Sequence, residues 1–296
     1  MTIIEDPTAA VAIPARPDQA GVARRERLRL LLRSPTFVIG CVLFGAWVVC
    51  ALLGSLIAPQ DPQFPDVLNK LAPPSSDHLL GSDRLGRDVL SRVIVGARSV
   101  LIIAPLATLL GTVVGTAVGL ICGYFGGLVD EVIMRLVDAV LAIPVIITAL
   151  LAVVALGPSR RTLIVVIGFL FTPIIAKTVR AAVLGEAQLE YVQAARLRNE
   201  RSPYVMFAEI LPNVMGPVIV EFTVRLGYAI FAVATLSFLG FGADPSIPDW
   251  GHDISENYQF INGGVWWAVL FPSLAIATLI VGINLIADAI AQTFDR

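Results

Sequence analysis

The sequence predicts an all-helical membrane protein with six transmembrane spans. Of its 296 residues, 56% are hydrophobic and 15% charged, against about 25% charged in an ordinary soluble domain, which excludes a solvated globular enzyme. The charges also leave long gaps. Ser34 to Gln60, Ser99 to Val129, Ala139 to Ser159 and Asn257 to Ala287 carry none, and each gap exceeds the roughly 18 apolar residues that mark a membrane helix. The net charge of −2 leaves no electrostatic footprint of a nucleic-acid partner.

Residues 1 to about 23 show no apolar periodicity and read as a polar, mobile tail. Arg24, Arg25, Arg27, Arg29 and Arg33 then form a basic amphipathic turn of the kind an anionic inner leaflet retains, which places the tail of residues 1–33 in the cytoplasm. The first span, 36–58, is longer than a secretory apolar region and has no A-x-A site before the next polar stretch, so it reads as an uncleaved signal anchor. Residues 34–98 combine this span with an outer loop. Residues 99–290 form a five-helix core with spans at 99–123, 132–156, 162–184, 213–241 and 265–289, and residues 291–296 return to the cytoplasm. This topology puts thirteen Lys and Arg inside and seven outside, with Arg225 inside a span. The outer loop from Ala243 to Gly264 has four acids and no Lys or Arg, in agreement, whereas the first outer loop does not agree, carrying five Lys and Arg beside five Asp, and the total decides.

Spans two to six each hold one proline, at 105, 144, 173, 217 and 272, tolerated in a membrane where neighbours satisfy the freed carbonyl. Gly111, Gly115, Gly119 and Gly123 lie one turn apart on one face and allow another helix to approach to backbone contact. Cys41, Cys50 and Cys122 lie in apolar runs without CxxC spacing and read as packing residues, giving neither a disulfide framework nor a zinc site. No phosphate-cradling GxxxxGK[ST] and no GxSxG or HExxH occurs. The chain is expected to bind no cofactor and no metal, so another chain must supply any energy that its work consumes.

One polar insert, 186–204, is unusually helical for a loop. Leu189, Val192 and Arg196 recur at helical spacing, Glu186 and Glu190 load its start, and Arg196 and Arg198 load its end, complementing the helix dipole. Asn199 suits a left-handed cap, and Ser202-Pro203 suits the start of a second helix. With Ala194 and Ala195 placed on its surface, the insert reads either as a docking knob or as a helix lying on lipid.

The stretch Glu190-Tyr-Val-Gln-Ala-Ala-Arg196, followed by Glu209-Ile-Leu-Pro-Asn213, resembles the coupling loop of bacterial ABC-importer permeases. Three further segments resemble the second permease of the dipeptide/oligopeptide family: His78-Leu-Leu-Gly-Ser-Asp-Arg-Leu-Gly-Arg-Asp-Val-Leu-Ser-Arg92, Val129 to Asp138, and Ala234 to Gly242 with Trp250-Gly251. The resemblance covers about residues 30 to 296. It implies a type I importer permease fold and a non-enzymatic subunit in the bacterial inner membrane. It also implies a second permease, two cytoplasmic ATPases that hold ATP and Mg, and an extracytoplasmic binding protein. Glu190, Tyr191, Ala194, Ala195, Arg196 and Asn199 would then be ATPase-coupling residues. Short peptides are the leading cargo, nickel chelates or another small solute the alternative. A self-contained secondary transporter would explain the kinked helices but not the insert.

This sequence departs from the family pattern at two places. Asn199 stands where relatives usually carry glycine, and asparagine is the next-best residue for a positive φ. Val233 stands where many relatives carry a glutamate, while Glu221 and Arg225 add charge earlier in the same span. These two at i, i+4 are expected to neutralise each other, as a structural pair or as a pore element. Arg135, Glu131 and Asp138 are expected to anchor the third span. In the outer loop, Asp88 and Arg92 are expected to pair on a surface helix. Asp83, Arg87, Asp88, Arg92 and Trp250 are candidate contacts for a partner outside the membrane, with a structural lid as the other reading.

Overall fold

The computed structural model describes residues 31–242 and 246–294, all-helical apart from one isolated bridge between Ser82 and Asp88. The expectations for the tail before residue 31, for residues 243–245 and for residues 295–296 lie outside the described residues. Helix α1, Pro35–Ile57, buries only Gly40 and Gly54. It lies on the outside of the bundle, where Gly40 meets the Gly282 backbone and the Trp47 indole donates to Thr278 Oγ1 at 3.1 Å.

Helix α2, Val89–Phe125, corrects the sequence reading of a surface helix followed by a separate span at 99. It is one helix of 37 residues, because the apolar series Val89, Val93, Ala97, Val100, Ala104 and Ala107 keeps one helical face without interruption and is buried throughout. The expected Asp88–Arg92 pair does not form. Asp88 is instead the N-cap, accepting from the Ser91 amide at 2.8 Å and the Ser91 hydroxyl at 2.7 Å.

The expected third span, 132–156, is two helices, α3 Gly127–Leu141 and α4 Val145–Leu156, bent by 86° at the break. Pro144 has no amide to donate and drives the residue before it out of the helical region. The other four prolines are carried inside continuous helices. Helix α5, Arg160–Glu186, is capped by Ser159 and packs on α2 in the most extensive helix contact of the molecule. The glycine face of α2 makes this possible. A β-carbon at Gly111 would lie 2.7 Å from the Gly168 carbonyl, and one at Gly119 would lie 2.8 Å from that of Ala176.

After the insert helix α6, Glu190–Leu197, the long helix α7 runs from Ser202 to Phe241 with wide π-type turns at Val205–Ile210 and Ser237–Phe241. Helix α8, Trp250–Asn257, packs against α7 and α9 at one end of the bundle, and α9, Trp267–Phe294, completes the chain. Among the described residues, five helices are long and apolar enough to cross a membrane, and α3 with α4 makes a sixth if the bent pair is one span.

Candidate functional site

The insert is fastened to the bundle at three places. Tyr191 donates its phenol proton to Glu186 Oε1 at 2.6 Å at the end of α5. The Asn213 amide of α7 donates to the Tyr191 oxygen at 2.9 Å and to the Glu209 carbonyl at 2.9 Å. Burial, reinforced by the Glu186 hydrogen bond, pushes the Tyr191 phenol up to about 12, so it remains a donor at neutral pH. Arg196 reaches the last turn of α2, donating to the Tyr124 carbonyl at 3.2 Å with its guanidinium 4.6 Å above the Tyr124 ring. The two halves of the coupling-loop pattern, 22 residues apart at Tyr191 and Asn213, therefore touch.

The turn after α6 forms as expected. Asn199 has φ +55°, its amide donates to the Arg196 carbonyl at 3.0 Å, and the Glu200 amide donates to that of Ala195 at 3.2 Å. This is the paired bonding that closes a helix through a left-handed residue. Pro203 in the first turn then starts α7. One expectation needs correction: Ala195 is buried in the core with Val192 and Val205, and Ala194 is half-buried. The small residues let α6 lie against its own chain. The tip presents Leu197, 85% exposed, flanked by exposed Glu190, Gln193 and Arg198.

The charges expected to anchor the third span make a different set of bonds. Asp138 pairs with Lys177 at 2.5 Å, and Asp130, next to Glu131 but outside the expected set, pairs with Arg180. Both bonds cross from α3 to α5, which holds the short helix that Pro144 detaches. Arg135 and Glu131 are exposed.

Glu221 and Arg225 pair as expected, Nε to Oε1 at 2.6 Å, with both side chains largely buried. The Arg225 guanidinium also stands 5.3 Å from the centre of the Tyr228 ring. Removing either charge alone should lower folded yield several-fold, because the other is left unpaired in a poor solvent, while the double alanine variant should be milder than the sum. Detergent-extracted yield of the three variants measures this. Strictly additive losses would show that the two side chains act independently. Val233, which departs from the family pattern, is fully buried in α7.

The residues expected to meet an outside partner are interior. Asp83, Arg92 and Trp250 are 2%, 2% and 0% exposed, and Asp88 and Arg87 are buried too. They clamp the loop before α2 to α8. Arg92 donates through Nε to Asp253 Oδ1 at 2.9 Å and through Nη1 to the Pro62 carbonyl at 2.9 Å. Arg87 binds Asp83 and Glu256, each at 2.5 Å. His78 Nδ1 lies 3.1 Å from Asp88 Oδ1, and the Trp250 indole donates to the Val93 carbonyl at 2.9 Å. Gly86 adopts φ +83° where a β-carbon would collide with the Asp66 carbonyl, so this turn needs glycine. Burial raises the Asp253 carboxyl above the usual range against the opposing pull of Arg92. Burial would raise Glu256 too, but hydrogen bonds from Arg84 and Arg87 outweigh it and bring that carboxyl below the usual range. The cluster is a structural clasp. The exposed apolar side chains of the same loop are Phe64, Val67, Leu68 and Leu79.

Residues 115–296 match the family described as binding-protein-dependent transport system inner membrane component, and residues 24–74 match the N-terminal transmembrane domain of oligopeptide transport permease C. The chain is 40% identical over 271 residues to a dipeptide transport system permease protein of Escherichia coli, covering 89% of each chain. It is 33% identical to one from Alkalihalophilus pseudofirmus, covering 92% of this chain and 89% of the other. It is 37% identical to a di/tripeptide transport system permease protein of Pseudomonas aeruginosa, covering 87% of each. The chain belongs to the dipeptide/oligopeptide permease family of ABC importers.

As a permease of this family it is a non-catalytic, multi-pass membrane subunit. Sequence reasoning found the permease's insert and the Glu221–Arg225 pair but missed the partners Tyr124, Asp253 and Glu256. Arg92 and Asp253 are 161 residues apart, and no local spacing links them. The available signal was the excess of acids in the segment 243–264, which has four and no Lys or Arg.

Proposed function

We propose that this chain forms half of the translocation pathway of an ATP-driven importer of short peptides and that α6 is its dock for an ATPase. The complete assembly would contain a second homologous permease, two cytoplasmic ATPases carrying ATP and Mg, and an extracytoplasmic binding protein. Both termini of this chain would face the cytoplasm of a bacterial cell. The relatives are dipeptide and di/tripeptide transport permeases, which supports the cargo.

The fastening of α6 to the ends of α2, α5 and α7 supports the coupling role most directly. A displacement of α6 is passed to three helices through hydrogen bonds of 2.6 to 3.2 Å. Glu190, Leu197 and Arg198 are the exposed side chains that a cleft on the ATPase would meet, with Leu197 as the apolar anchor. Tyr191, Ala194, Ala195, Arg196 and Asn199 would act by holding α6 in place. Enlarging Ala195 would therefore disturb the insert's own packing, and Leu197 is the better probe.

Leu197→Asp should reduce ATP hydrolysis stimulated by loaded binding protein about tenfold or more, with the permease still folded in the membrane. Reconstituted vesicles and pull-down of the ATPases measure both effects. Full stimulation with full association would show that α6 is only a helix on the lipid surface.

A further inference from the structure

A cavity of about 340 Å³ lies between α7 and α9, walled by Tyr228 and Phe231 on one side and by Asn284 and Asp288 on the other. Its volume falls in the range of small-ligand sites. The room comes from Gly227, where a β-carbon would stand 2.9 Å from Asn284 Oδ1. Tyr228 is held in place, since Glu221 ties Arg225 and Arg225 stands over the Tyr228 ring. Asn284 and Asp288 lie one turn apart on α9 and are exposed to the cleft, and Asp288 has no ion-pair partner among the described residues. Asp288 stands 21 residues beyond Trp267, about 30 Å along the helix. On the orientation proposed above, the cleft opens from the bilayer interior toward its inner rim.

The chemistry of the lining selects a cation. A carboxylate with no ion-pair partner among the described residues, an amide oxygen and the Phe231 ring each attract a positive group, and no Lys or Arg lines the cavity. We infer that this cleft is a cargo subsite in which Asp288 and Asn284 receive the α-ammonium group of a short peptide and Tyr228 and Phe231 flank it. The inference rests on the peptide-importer reading. It assigns the Glu221–Arg225 pair a positioning role: the pair steadies the aromatic wall and does not itself touch cargo.

The test uses the complete importer in vesicles, with radiolabelled alanyl-alanine delivered by the binding protein, and reads peptide accumulated per ATP hydrolysed. Asp288→Asn should lower that ratio about tenfold, the effect of losing one charge-assisted hydrogen bond, and Asp288→Glu should restore most of it. Gly227→Ala, which narrows the cleft and leaves every charge in place, should lower the ratio as well. An unchanged ratio in Asp288→Asn overturns the subsite. Loss of the second permease from purified Asp288→Asn complex overturns it too, because the carboxylate would then be pairing with a cation of that chain. If wild-type vesicles accumulate no dipeptide at all, the peptide reading itself fails and the subsite falls with it.

Discussion

Arg92→Ala should cost the permease about 3–5 kcal/mol, the penalty for removing one partner of a buried ion pair, and should reduce folded protein in the membrane to a small fraction of wild type. Arg92 is 2% exposed and serves three elements at once: Asp253 of α8, the Pro62 carbonyl and, at 3.8 Å, Asp83. Its removal leaves Asp253 buried without its hydrogen-bonded cation, with only the more distant field of Arg87 against it, and one oxygen of that carboxylate already lacks a hydrogen-bond partner among the described residues. Arg92→Lys should recover little, because an ammonium on a single stem cannot reproduce the forked contacts to Asp253 and to the Pro62 carbonyl. The double variant Arg92→Ala/Asp253→Asn should be clearly more stable than Arg92→Ala. Thermal unfolding of detergent-purified protein reads this, and a double variant no better than the single would show that the buried charge is not the source of the loss.

The second large effect belongs to the contact between α2 and α5. A β-carbon at Gly115 would sit 2.8 Å from Ile175 Cβ and 2.9 Å from the Thr172 carbonyl oxygen. Neither neighbour is the free end of a flexible side chain, so the two helices must separate to admit it. Gly115→Ala should cost about 1–3 kcal/mol and Gly115→Leu more, enough to lose most of the folded protein. Gly45 on α1, with open space around its β-position, supplies the control, and Gly45→Ala should leave yield unchanged. A Gly115→Leu variant that extracts and unfolds like wild type would show that the helix pair is looser than its geometry states.

Local chemistry governs a good part of this protein. The uncharged runs impose helices because a bilayer leaves backbone amides no other partner. The glycines of α2 declare a close neighbour before that neighbour is known, and Asn199 with Ser202-Pro203 defines how the insert ends and α7 begins. Glu221 and Arg225 meet because i, i+4 spacing on any helix brings them together. Each of these depends on residues within one continuous segment, so each could be read along the chain.

Only the tertiary structure decides which face of an element is inside. Ala195 has the composition of a docking surface and turns out to be the seat of α6 on its own bundle. The arginines and acids of the loop before α2 look like solvated charges until α8, more than 150 residues later, closes over them and removes water from the cluster. Pro144 breaks its helix while Pro105 and Pro173 do not, because what a missing amide costs depends on whether neighbouring helices hold the chain straight around it. The cavity at Asp288 likewise exists only because the fold sets Gly227 of α7 against Asn284 of α9. In all four cases the deciding quantity is the solvent or packing environment of a side chain. That environment is set by parts of the chain far away in sequence, and no local pattern of residue types encodes it.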